Sequence, residues 1–267
     1  MNKYLYRILV KINWVMISQL GIDPRKLVYA LIRLPRYALD FVQFKQMYDG
    51  DLEIKPCLHD RDNEYGDYAN EYFWQDLLVA RMIYENNPKV HLDIGSRVDG
   101  FISHVAVFRE VEVLDIRPAK ITIPNVTFRQ IDVMELPNDV INRADSVSCL
   151  HALEHFGLGR YGDRLDPKGY EYGLDSISRL VRDDGVLYLS IPVGSERVEF
   201  NANWIFDPLT IVNLMRLNGC TLERVIKINN DGGREVDWRC AEELAEIALS
   251  EYQLCVFVFR KTNVRGG

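Results

Sequence analysis

Residues 151–163, HALEHFGLGRYGD, bring together two histidines, a glutamate, an aspartate, an arginine and three glycines. The first five residues match H-x-x-E-H, a pattern used by zinc hydrolases, in which two histidines one helical turn apart ligate the metal and the glutamate serves as base. That chemistry needs a stable helix. Gly157 and Gly159 follow at once, and glycine is the poorest helix former after proline. No further ligand is evident downstream, so no metal is expected. Acid–base work on a loop is the alternative, because an imidazole changes charge near neutral pH and is the natural group to take a proton from a weak nucleophile.

The segments before this loop decide between those readings. HLDI, VEVLDI, VTFRQIDV, ADSVSCL, GVLYLSIPV, TLERVIKI and YQLCVFVFRK read as short buried strands, with helical stretches between most of them. Strands alternating with helices imply an α/β fold with a mostly parallel sheet covered on both faces. In such a sheet ligands sit beyond the carboxyl ends of the strands. Three acids stand at the ends of three successive strands: Asp93 before Gly95, Asp115 in LDIRP, and Asp132 in IDVMEL. The second lies 22 residues after the first, the spacing at which a ribose diol is gripped, and the third is placed to accept from an amino group such as adenine N6. Each acid alone also suits a helix cap or a turn. A dinucleotide loop would carry G-x-G-x-x-G, whereas this one has Gly95 and Gly100 with Arg97 and Asp99 between them, a carboxylate that would repel pyrophosphate.

The motifs HLDIGSRVDGF, VLDIRP, DSVSCLHALEHFGLGRYGD and YLSIPVG together resemble the class I S-adenosylmethionine-dependent methyltransferases over about residues 85–262. Within that superfamily they are similar to a methyltransferase-like family of unknown function whose members accompany bacterial surface-polysaccharide synthesis. The resemblance implies a Rossmann-like, seven-stranded, mostly parallel sheet in the order 3-2-1-4-5-7-6 with an antiparallel last strand. It implies S-adenosyl-L-methionine as cofactor, held by Asp93, Gly95, Ser96 and Gly100, by Asp115 and Ile116, by Asp132 and Val133, and by Leu150. Arg97 stands where the superfamily places a second glycine.

The loop after the fourth strand then faces the acceptor. His155 is the first choice of base and His151 the second, with Glu154 orienting the base or touching the cofactor. Arg160 suits an acceptor phosphate and Tyr161 a sugar ring, although an ion pair of Arg160 with Asp163 or Asp166 is equally open. Asn201, Asn203 and Trp204 suit carbohydrate recognition or a loop covering the sheet edge, and Tyr72, Trp74 and Gln75 suit an ordinary core helix first and a segment closing over the cofactor second. The implied partner is a small-molecule or glycan acceptor.

Composition narrows the classes. A hydrophobic share of 48% and a charged share of 27% fit a folded globular protein, and a net charge of −7 disfavours duplex nucleic acid as partner. Five scattered cysteines without C-x-x-C pairs fit a reducing cytoplasm, with Cys149 and Cys255 as inert core residues. The division expected is a helical segment and linker over 1–84 and the methyltransferase-like domain over 85–267. Residues 1–48 carry eight basic side chains against two acidic ones, so the remainder holds a balance of −13. Apolar residues from Leu5 to Met16 recur at helical spacing, and a second helix starts at the cap Asp23-Pro24 and runs toward Arg33. These helices suit either packing on an edge of the main domain or peripheral contact with the inner face of a membrane. Neither a signal peptide nor a spanning helix is expected, because Arg7 and Lys11 interrupt the first apolar run. A catalytically inactive scaffold of the same fold is the alternative function.

Overall fold

The computed structural model describes residues 3–58 and 70–262 and divides into two compact units, Met1–Asp67 and Tyr68–Gly267. The first unit holds α1 (Lys3–Ser18) and α2 (Pro24–Met47). Asp23 caps α2 by accepting from the Arg25 N–H, as the Asp23-Pro24 pair leads one to expect. The helix does not stop near Arg33 but continues through Pro35. Proline removes one backbone donor, a cost that a 24-residue helix absorbs. Cys57 is exposed and outside both helices.

The second unit begins with α3 (Glu71–Asn86), capped by the Asn70 side chain on the Phe73 N–H and ended by Asn87 in the left-handed region, just before Pro88. α3 packs on the sheet through Val79, Ala80, Met82 and Ile83, so it belongs to this unit and the boundary falls well before residue 84. The expectation that residues 1–84 stand together is corrected on that point. After α3 come β1 (His91–Ile94), the short α4 (Ser103–Ala106), β2 (Val111–Asp115), β3 (Val126–Gln130), β4 (Ala144–Leu150), α5 (Gly169–Leu180) and β5 (Val181–Val193). Then follow β6 (Arg197–Glu199), β7 (Asn203–Ile205), α6 (Pro208–Leu217), β8 (Cys220–Asn229), β9 (Gly232–Val236), α7 (Ala241–Leu249) and β10 (Gln253–Lys261).

The sheet order is β3-β2-β1-β4-β5-β10-β8-β9. The five strands from β3 to β5 run parallel, and β10 is inserted antiparallel between β5 and β8. This is the Rossmann-like order expected from the sequence, extended by one edge strand, β9, which pairs antiparallel with β8. β1 and β4 are buried along their whole length, and they bury the polar side chains of His91, Asp93 and Asp145 beside their apolar and small residues. One face carries Leu174, Ile177, Ile211, Met215 and Ile247 from α5, α6 and α7; the other carries α3 and α4. Cys149 and Cys255 lie buried and unbridged in strands, as expected. β6 and β7 form a separate two-stranded hairpin that the sequence presents only as a polar loop.

Candidate active site

A cavity opens at the carboxyl ends of β1, β2 and β4 and just beyond β3, where the topology predicts a ligand. Its floor is apolar, with Ile94, Leu114, Ile116, Ile131, Val133 and Met134. Gly95, Asp115, Asp132, His151, His155 and Tyr161 also line it. Asp93, Ser96, Gly100 and Leu150 do not, and each is placed otherwise for a local reason.

Asp93 is fully buried inside β1 and acts as a clasp. Its carboxyl group accepts from the Ser96 N–H at 3.0 Å, the Ser96 hydroxyl at 2.7 Å and the Ser148 hydroxyl at 2.5 Å, which folds the loop after β1. Burial pushes the Asp93 carboxyl up to about 6, against those three hydrogen bonds. The folded value lies above the unfolded one, so the stability Asp93 contributes is complete below about pH 4 and is lost as pH rises through about 6. Comparison of wild type with Asp93→Asn by urea denaturation should show a gap that changes by on the order of 2 kcal/mol across this window. A gap independent of pH would show that Asp93 does not titrate there. Gly100 lies away from the cavity because the Asp76 carboxylate of α3 packs where its Cβ would stand. Leu150 faces the core under α3. Gly95 keeps its place through an N–H donated to Leu114 O at 3.0 Å, and a Cβ there would come within 3.1 Å of Ala152 Cβ.

Asp115 does line the cavity, but Arg117 holds both of its oxygens. The Arg117 Nε donates to Oδ1 at 2.9 Å, Nη2 to Oδ2 at 2.6 Å, and the backbone N–H to Oδ1 at 2.8 Å. The same guanidinium lies 4.6 Å from the Tyr161 ring centre. Asp132 uses Oδ1 to cap the turn at Met134.

The loop after β4 is not an H-x-x-E-H helix. His151 takes left-handed backbone (φ 53°), and Leu153–His155 form one tight turn, so the two histidines flank Glu154 rather than stacking one turn apart. Their environments differ. The His151 Nδ1 lies 2.8 Å from Glu154 Oε1, and the ring packs against Tyr72 at 4.3 Å. Burial alone would lower the His151 pKa, but the charge and hydrogen bond of Glu154 outweigh it, and the value is raised. Glu154 is lowered in turn: burial opposes its ionisation, and the attraction of His151 overcomes it. His155 donates Nδ1–H to the Ala202 carbonyl at 2.7 Å, which leaves Nε2 as the lone-pair nitrogen. Burial lowers the His155 pKa, assisted by Arg160 and opposed by Glu154. One imidazole is therefore biased toward the cation and its neighbour toward the neutral base, a division that suits acid–base work.

Arg160 makes neither of the ion pairs open to it on sequence. It donates to Ala202 O at 2.9 Å, while Asp163 accepts from the Gly159 and Tyr161 N–H groups and Asp166 pairs with Arg164. No carboxylate pairs with Arg160 among the described residues. The Tyr161 ring stands edge-on to His155 at 5.4 Å. Asn201, Asn203 and Trp204 do not line the cavity. Asn201 sits at the turn between β6 and β7, Asn203 donates to Trp204 O, and Trp204 Nε1 donates to Phe156 O at 3.3 Å. Of these, Trp204 ties the hairpin to the histidine loop. Of the three candidates for closing over the cofactor, Tyr72 reaches His151, Gln75 is buried on Ser190, and Trp74 donates to Asn230 O on the far side. Sequence reasoning missed Asp76, a buried acid on the apolar side of α3, and Met134, Phe156 and Asp163 in the cavity wall. A carboxylate at position 76, in the middle of a core-facing helical stripe, was the available signal.

No curated protein matches the sequence. Among solved structures, 1,6-didemethyltoxoflavin-N1-methyltransferase of Burkholderia thailandensis, solved with S-adenosylhomocysteine bound, is 17% identical with a TM-score of 0.47, over 72% of this chain and 80% of that one. The N-methyltransferase NodS of Bradyrhizobium japonicum, in complex with the same compound, is 12% identical with a TM-score of 0.46, over 70% and 85%. The [4+2]-cyclase SpnF is 16% identical with a TM-score of 0.49, over 75% and 86%. A protein-family match spans residues 107–262, more than half of the chain and all of the sheet from β2 onward, and by it the chain belongs to the family described as "Caenorhabditis protein of unknown function, DUF268".

Proposed function

We propose that the protein is an S-adenosylmethionine-dependent methyltransferase that O-methylates a sugar of a surface polysaccharide, or its nucleotide- or lipid-linked precursor. The observation that carries this reading is His155: an imidazole in the cavity wall at the strand ends, with its Nδ1–H fixed on Ala202 O and its Nε2 3.9 Å from Glu154 Oε1. The cavity's residues fit the cofactor. The apolar floor suits an adenine, Asp115 a ribose diol, and Gly95 the close approach of backbone. Bound there, S-adenosylmethionine supplies an electrophilic methyl group on a sulfonium. The chain supplies the rest. His155 takes the proton of the acceptor hydroxyl at Nε2, and Tyr161 offers a ring face to the sugar. Arg160, with no carboxylate partner among the described residues, offers charge to a phosphate. The polysaccharide context rests on the family resemblance of the motifs.

A second reading, a catalytically inactive scaffold, is favoured by one observation: Arg117 occupies both oxygens of Asp115. Calorimetric titration with S-adenosylhomocysteine separates the two. Micromolar binding is expected, and a folded protein that binds none would overturn the enzyme reading. Because Arg117 must yield Asp115 to the ribose, Arg117→Ala should tighten that binding. The ion pair is half-exposed and worth at most about 1 kcal/mol, so the gain should be about fivefold. Weaker binding by the variant would instead make Arg117 part of the cofactor site.

A further inference from the structure

We propose that α1 and α2 lie on the surface of an anionic lipid bilayer. No side chain of α2 is buried. At 100° per residue, Leu27, Val28, Leu31, Leu34, Leu39 and Val42 share one side of this helix, and all are exposed. Arg25, Lys26, Arg33 and Arg36 share the opposite side, and Lys45 in the last turn falls on the apolar one. In α1 the exposed Leu5, Ile8, Leu9, Ile12 and Val15 form a similar stripe, with Lys11 at its border and Trp14 on the opposite side. An apolar stripe backed by basic residues is the pattern of a helix lying in a headgroup layer. No described helix is long and apolar enough to cross a membrane, so the contact is with the surface.

Charge selects the occupant. Residues 1–48 carry a balance of +6 and the rest of the chain −13. A surface rich in acidic headgroups attracts the first part and repels the second. A second copy of this chain brings the same positive charge to the same face and is repelled.

Flotation of the full chain with vesicles tests this. The protein should float with vesicles of equal parts phosphatidylcholine and phosphatidylglycerol, and stay behind with phosphatidylcholine alone. Raising the salt to about 1 M, where the screening length is near 3 Å, should release it. Lys11→Glu with Lys26→Glu should lower vesicle binding by about tenfold or more. Leu31→Gln with Leu39→Gln should lower it similarly, with no change in thermal unfolding because both side chains are exposed. Absence of flotation by folded protein, or binding indifferent to lipid charge, overturns the proposal. A dimer in light scattering that the leucine variant dissolves, without vesicle binding, assigns the face to a second copy. None of these outcomes depends on the cofactor reading, which titration with S-adenosylhomocysteine tests separately.

Discussion

Replacing His155 by alanine should lower turnover by about 10²–10⁴-fold while leaving the affinity for S-adenosylhomocysteine within a factor of about two, as expected for loss of a general base that contributes nothing to cofactor binding. The assay is release of S-adenosylhomocysteine in the presence of a sugar-nucleotide or glycan acceptor that the wild-type protein methylates. The pH profile adds a second reading of the same residue. A base must be deprotonated, so the rate falls as pH drops through the His155 pKa. Burial places that value below the ordinary imidazole range, so the plateau should extend to lower pH than a free imidazole allows. Glu154, Arg160 and His151 all face this ring, and of these Glu154 alone pulls the value upward. Glu154→Gln should therefore move the acid limb lower still. Unchanged turnover in His155→Ala removes the residue from the mechanism and leaves the scaffold reading in front.

Gly157→Ala should unfold the rim of the site and cost about 3 kcal/mol. Gly157 has φ 79°, and a Cβ there would strike the Asp166 carbonyl oxygen and stand 3.1 Å from Gly169 Cα at the start of α5. The two backbones cross so closely that neither can yield: Asp166 N–H donates to Gly157 O at 3.0 Å, and Gly169 N–H to Asp166 O at 2.9 Å. A left-handed alanine costs about 1 kcal/mol and overpacking about 1–3 more. In a domain of this size the melting temperature should fall by about 6–12 °C. Gly162→Ala is the control. Its φ is 89° but nothing lies within 4 Å of its Cβ, so it should lose only about 1 kcal/mol. Equal losses in the two variants would show that the crossing is looser than described.

What the sequence made legible follows from where the information sits. The parallel strands could be read as short, mainly apolar runs bounded by turn residues, although β1 and β4 also bury His91, Asp93 and Asp145. The strand order followed from the resemblance. The hairpin of β6 and β7 could not be read, since Arg197, Glu199 and Asn203 give no apolar alternation. The edge strand β9, GGREV, is glycine and charge for four of its five residues. At the site, the strand-end positions of Gly95, Asp115 and Asp132 were legible because topology fixes them. Their occupancies were not. Arg117 reaches Asp115 across two residues, a choice of rotamer rather than of pattern. The separation of the two histidines depends on Ala202, 47 residues beyond His155, and no spacing rule reaches that far. Asp93 is read from the sequence as a cofactor ligand, whereas the structure makes it a buried clasp off the cavity, because burial of a strand end is a property of the neighbouring strands.

The atom that sets the His155 tautomer is a main-chain carbonyl, and Arg160 donates to the same oxygen. Substituting residue 202 leaves that atom in place. The hairpin from 197 to 205 can therefore exchange its outward side chains during divergence without touching the proton on Nδ1. Only an insertion or deletion that shifts the hairpin would move that oxygen away from the ring.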